Sequence, residues 1–206
     1  MAQADDSPYS LRSEVERARR KTLLDEPHMG SLTAFVQTIR DETGEDVPFF
    51  DPLDGGVSAT CLFLLEAPGS RAVSSGFVSR NNPDVSARNF FELNREAGIP
   101  RTKTVIWNIV PWYIGSGEKI RPANNDDIEE GLRYLDRLIP LLPNLRIVVT
   151  MGQKANRAEK YLTRVRPLMQ TVQSPHPSPL YINRQPGNRD RILTALKNVA
   201  LQLAVF

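Results

Sequence analysis

Four stretches of the chain set a polar or conformationally special residue directly after an apolar run. Glu66 ends the run 60–66 and is followed by Ala67-Pro68-Gly69. Asn108 interrupts 104–110, Gly152 follows 145–150, and His176 sits in Ser174-Pro175-His176-Pro177-Ser178-Pro179 after 168–172. A carboxylate at the tip of an apolar strand sits where ligands bind in open α/β sheets, so chemistry is expected there. An amide closing an apolar strand carries both a donor and an acceptor for a ligand's edge, and is costly there unless bonded. A histidine between two prolines has a stiff backbone, so its ring is aimed. Each has a plain alternative: Glu66 as a solvated strand end, Asn108 as a turn-starter bonded to its own backbone, His176 as a loop residue.

These groups matter together only if the elements before them bring their ends to one rim. The apolar run 60–66 has the character of a strand buried on both faces in a parallel sheet, stopped by Pro68-Gly69. Three further strands are expected at 104–110, 145–150 and 168–172. Helices are expected over 84–97, 126–142, from 152 to about 162, and from 188 to the end. Strands alternating with helices predict parallel pairing, with ligands outside the carboxyl ends of the strands. The fold class is α/β, a three-layer α/β/α sandwich around a four-stranded parallel sheet.

Two helices precede this alternation. One is expected from a Ser10 cap to about Leu24, with Leu11, Val15 and Ala18 on one side. The other starts at Ser31, carries Leu32, Phe35, Val36 and Ile39, and stops at Gly44. His28 lies in the link between them as a loop residue. Residues 47–56 are expected as an irregular loop packing Phe49 and Phe50, and 67–83 as a second long loop. The whole chain, 1–206, is expected as one domain with residues 1–57 packed on it.

Composition limits the chemistry. The chain has 206 residues, is 40% hydrophobic and 24% charged, and carries a formal net charge of +2, ordinary for a globular protein. One cysteine, Cys61, rules out an internal disulfide and a cysteine-ligated zinc or iron–sulfur site in one chain. With only two histidines, a transition-metal site is not expected, nor is any other cofactor. Met1 to Ser10 lacks the apolar segment of a signal peptide, and no run approaches a membrane span, so a cytoplasmic protein with no membrane contact is expected. Bulk charge is only compatible with nucleic acid, but Lys154, Arg157, Lys160, Arg164 and Arg166 cluster, as do Arg184, Arg189 and Arg191. The first cluster reads equally well as a solvated helix face. Phosphate-binding glycine motifs and a nucleophilic serine elbow are missing from the sequence.

Leu65-Glu66-Ala67-Pro68-Gly69, then Trp107-Asn108-Ile109-Val110-Pro111, then His176-Pro177-Ser178-Pro179-Leu180 resemble, in order and spacing, the motifs of the uracil-DNA glycosylase superfamily. The likeness covers about residues 58–206. It implies base flipping, a step general to glycosylases, and release of uracil from uracil-containing DNA by a monomer, leaving an abasic site. Position by position, it implies that Ala67 and Gly69 present backbone N–H groups to the flipped base. Phe77 matches the aromatic that stacks on uracil, and Asn108 the amide that recognises its edge. His176 matches the histidine that hydrogen-bonds the base oxygen as charge develops. Leu180 with Tyr181 falls where the family inserts an apolar wedge, and Ser178 and Arg184 would contact DNA on either side.

The departures are specific. Ala67 stands where the family's most active members carry a water-orienting aspartate, and Ser70-Arg71 where the iron–sulfur relatives have acidic residues. Leu65 replaces a usual glycine. Glu66 is therefore the candidate water-orienting group, with a main-chain carbonyl as the alternative. A catalytically feeble DNA-lesion binder on the same fold and a hydrolase of small nucleosides are the competing functions.

Overall fold

The computed structural model describes residues 4–116 and 119–205; the part of the N-terminal reading that falls on residues 1–3 lies outside them. Along the chain come α1 (Glu14–Thr22), α2 (Gly30–Thr43), β1 (Phe49–Phe50), β2 (Cys61–Leu65), α3 (Ser70–Ser75), β3 (Phe77–Val78), α4 (Val85–Ala97) and β4 (Thr104–Asn108). Then follow β5 (Gly115–Ser116), β6 (Lys119–Ile120), α5 (Asn125–Leu138), β7 (Ile147–Met151), α6 (Ala158–Val165), β8 (Gln170–Ser174), α7 (Pro179–Ile182) and α8 (Asn188–Leu203).

The main sheet has the order β4-β2-β7-β8, with every neighbouring pair parallel. The fold is thus α/β, a four-stranded parallel sheet flanked by helices. Register shows how the faces are covered. Phe63 pairs with Ile106, and its ring meets Phe90 of α4 edge-on at 4.9 Å. Trp107, one residue on, turns to the other face, where it meets Phe35 of α2 and stacks on Phe50 at 4.2 Å. So α4 with α8 covers one face, and α2 with α5 the other. Cys61 to Leu64, Thr104 to Asn108 and Ile147 to Met151 are buried without interruption, as strands covered on both faces should be.

Local signals explain most boundaries. The Asp84 carboxylate caps α4 by accepting from Ala87 N–H, and Gly98 ends it in the left-handed conformation. Asn124 and Asp127 form a reciprocal capping box on α5. That helix stops at Leu138, and Ile139–Leu141 tighten into a 3₁₀ turn around Pro140, which cannot continue the ladder.

Several expectations need correction. α1 does not bury Val15 and Ala18, which face solvent; it buries Glu16 and Arg20. These two satisfy each other, with Arg20 Nε donating to Glu16 Oε1 at 2.9 Å, and Arg20 reaches Asp51 at 2.5 Å. The loops 47–56 and 67–83 each contain a short strand, and β1 pairs with β3 in parallel. The second loop also holds α3. The last strand begins two residues later than expected. A turn closed by Met169 N–H on the Arg166 carbonyl at 2.9 Å leaves Leu168 outside. The shift makes Ser174 the terminal strand residue, two positions before His176.

Candidate active site

The carboxyl ends of β2, β4 and β8 and the loops beyond them enclose a cavity of about 630 Å³. Glu66, Ala67, Gly69, Asn108, His176, Ser178 and Leu180 all line it. Residues 110 positions apart are brought there because parallel strands deliver their last residues to one edge of the sheet.

Asn108 pairs with Leu65 in register and points with Ile106 toward the α4 face. It is 3% exposed, and its Nδ2 has no hydrogen-bond partner among the described residues. A buried amide donor without a partner costs about 1–3 kcal/mol, and here it borders a cavity able to hold a ligand that would accept from it.

His176 is half-buried. Desolvation pushes its pKa down to about 4, so its imidazole is neutral near pH 7 and offers one N–H and one lone pair. The ring is held from behind. Gly152 has φ +92°, a backbone conformation that favours glycine, and a Cβ there would meet the His176 Cβ in a tight contact at 3.2 Å. From the α4 side, Asn89 Nδ2 donates to the Pro177 carbonyl at 3.0 Å.

Glu66 ties two loops together. Its carbonyl accepts from Val110 N–H at 2.9 Å and its Oε1 from Ala123 N–H at 2.7 Å. Lys154 Nζ bonds the other side of the Ala123 peptide, at its carbonyl, at 2.6 Å. The carboxylate is therefore anchored as well as cavity-lining.

The remaining expected site residues are placed differently from one another. Phe77 is fully enclosed and does not line the cavity; the aromatic that does is Phe90. Leu180 is 83% exposed at the cavity's edge. Tyr181 is half-buried and packs on the core, its carbonyl accepting from Asn188 Nδ2 at 2.7 Å. Ser178 accepts from Tyr181 N–H and caps α7. Arg184 is exposed and borders a groove with Pro179, Leu180 and Asn183.

Other cavity residues were not read from the sequence as site residues: Ser79, Asn82, Asp84, Ile120 and Arg121, with Arg71 noted only as a departure from acidic relatives. Asp84 was legible only as a helix start; burial raises the pKa of its carboxyl. Asn82 accepts from Ser75 Oγ at 2.6 Å and donates to the Phe77 carbonyl at 2.9 Å, which shapes the wall that Val78 and Ser79 present. Among the described residues, no group of three His, Cys, Asp or Glu side chains is arranged to hold a metal ion, and no helix is long and apolar enough to cross a membrane.

Comparison with known proteins agrees with this geometry. The fold is similar to that in the crystal structure of wild-type SMUG2 from Pedobacter heparinus, with a TM-score of 0.56 and 11% identity over 88% of this chain and 87% of that one. No curated protein matches the chain significantly. The sequence model of the uracil DNA glycosylase superfamily matches residues 48–199, which include every strand of the sheet and every residue named around the cavity. The chain belongs to the uracil DNA glycosylase superfamily, whose members are DNA glycosylases.

Proposed function

We propose that the protein excises uracil from DNA as a monofunctional glycosylase. The observation that carries this reading is the unpartnered Asn108 Nδ2 in the wall of a cavity that also holds a neutral histidine. In a uracil complex the amide donates to the O4 oxygen. Cytosine presents an amino donor at that edge, so the same amide discriminates against it.

Bond breaking leaves negative charge on the departing base and an oxocarbenium-like sugar. The neutral His176 N–H donates to the base oxygen O2 as that charge grows, and such a donor in a dry site is worth about 3–4 kcal/mol. Water then adds its oxygen to C1′ and its second proton ends on the released uracil. Ala67 offers no carboxylate for this water. Glu66 has one oxygen on Ala123 N–H, but a carboxylate has about four lone-pair sites, so anchoring the loop and holding a water are compatible roles. Leu180 fills the stack vacated by the extruded nucleotide, offsetting part of a cost of a few kcal/mol.

The test is release of free base from oligonucleotides carrying uracil, thymine, hypoxanthine or xanthine, in single and double strands. Uracil release with strand cleavage only after alkali supports the reading. Binding of abasic sites without release of any base replaces it with the lesion-binding reading, which the missing carboxylate at Ala67 favours.

A further inference from the structure

Seven large hydrophobic side chains are exposed among the described residues, and two of them, Ile120 and Leu180, line the same cavity. They arrive from opposite edges of the sheet. Leu180 follows β8 and Ile120 follows β4, the two outer strands. Leu180 is followed by Arg184, and Ile120 sits between Lys119 and Arg121. The Leu180 side is the one the family resemblance assigns to DNA; the Ile120 side has no assigned role.

The geometry points to Lys119, Ile120 and Arg121 as a second DNA-contacting edge, gripping duplex DNA on the side of the extruded nucleotide away from Leu180. This inference rests on the proposed reading that the cavity receives a nucleotide from DNA.

The edge is built to stay in place. β5 and β6 pair antiparallel, and Gly115 is required there because a Cβ would lie 2.2 Å from the Lys119 carbonyl oxygen. Arg121 N–H donates to the Ile114 carbonyl at 2.9 Å. Its guanidinium takes both oxygens of Asp127, at 2.5 and 2.8 Å. Two residues further, Ala123 is held by Glu66 and Lys154 at the cavity itself. Glu66 thereby links the exposed edge to the strand end that carries the site.

The chemistry of the edge fits duplex DNA. Ile120 is 44% exposed on an otherwise polar ribbon, and an apolar side chain beside an extruded nucleotide contacts bases left unstacked. Lys119 is exposed and available to phosphate oxygens, which draw most protein–DNA hydrogen bonds. Arg121, half-exposed, can offer them only the N–H groups that Asp127 and the Pro122 carbonyl leave unused. Asp127 neutralises part of this charge, which makes the edge a positioning contact with a weak salt dependence.

The experiment compares wild type, Ile120→Ser, Leu180→Ala and the double variant. Each is measured for affinity to a duplex bearing an abasic-site analogue, for affinity to the same modified strand alone, and for single-turnover uracil release from both forms. Ile120 is on an exposed edge, so an unchanged thermal midpoint is expected for Ile120→Ser, and Ile120→Leu should restore wild-type behaviour. Ile120→Ser should weaken duplex affinity and slow duplex excision by about five- to tenfold while changing the single strand less than about twofold. Two edges acting on one duplex should make the double variant's loss close to the product of the single losses. An unchanged duplex affinity, or equal losses on duplex and single strand, overturns the second edge. If wild type binds the duplex but releases no base, the glycosylase reading fails while the affinity measurements still decide the edge.

Discussion

Two buried polar regions sit on either side of the loop 79–82 and obey opposite rules. On the N-terminal side, Arg20 is wholly buried and bonds Glu16, Asp51 and the Asp5 carbonyl. Arg101 bonds Asp51 and Asp54 at 2.6 and 2.8 Å, and Ser79 Oγ donates to Asp51. Burial alone would raise the Asp51 carboxyl, but Arg101 and Arg20 beside it prevail and hold it at about 2. On the other side, the cavity holds Asn108, whose amide nitrogen has no partner among the described residues, and His176, whose pKa is lowered by desolvation. Charges in the first region are buried with partners that tie the chain together, although Asp54 Oδ2 and Arg80 Nε there lack one among the described residues. The Asn108 amide nitrogen differs in being unpartnered in the wall of a cavity, where a ligand can meet it. Ser79 belongs to both, bonding Asp51 and lining the cavity.

The largest effect should come from breaking the partnered side. Arg20→Met leaves Glu16 and Asp51 short of a counter-charge and should cost about 3–5 kcal/mol in urea denaturation. A loss below about 1 kcal/mol would mean that the cluster behaves like an exposed ion pair. On the unpartnered side the order reverses. His176→Ala should lower single-turnover excision about 10²–10³-fold while leaving affinity for an abasic duplex within about twofold. Weakened binding at an unchanged rate would assign His176 to substrate affinity instead.

Acid titration separates His176 from Asp54 by sign between pH 4 and 6.5. The His176 pKa is depressed to about 4 from an ordinary 6.5, so between those values the unfolded chain takes up a proton that the folded one refuses. Stability associated with neutral His176 is present above pH 6.5 and lost as the pH falls toward 4, by roughly 3 kcal/mol. Asp54 is raised by burial from 3.8 to about 6, so its contribution has the opposite slope, with the folded state gaining as pH falls through 6. His176→Phe should remove only the first slope, so that the variant gains on wild type as pH drops from 6.5 to 4.5. Parallel stability curves for the two proteins would show that His176 is not desolvated.

The smallest effect on stability should accompany a clear loss of function. Asn108→Ala removes a buried donor without a partner and leaves a small void, so stability should stay within about 1 kcal/mol of wild type or rise. Excision should nonetheless fall by about tenfold or more, because the base edge loses its reader. A destabilised but fully active variant would place Asn108 with Arg20 as a structural group.

The apolar runs of β2, β4 and β7, the stripe of α2, the stops at Gly44 and Gly98, and the order of the motifs around Glu66, Asn108 and His176 were all legible in the sequence by itself, because they are set by local periodicity and turn chemistry. What only the tertiary structure decided depends on partners far away in the chain. Arg20 on α1 was not singled out by any local pattern, and it is wholly buried because Asp51, 31 residues on, supplies its counter-ion. Phe77 matched a stacking aromatic by position, yet its side chain is enclosed and Phe90 faces the cavity. Glu66 was visible at its strand tip, but its bond to Ala123 N–H, 57 residues away, exists only because parallel pairing brings the ends of β2 and β4 together. Hydrophobic spacing encodes the buried face of α2 and of the central strands but not of α1, which buries Glu16 and Arg20; which polar group a face meets is set by packing between elements, and no local pattern carries it.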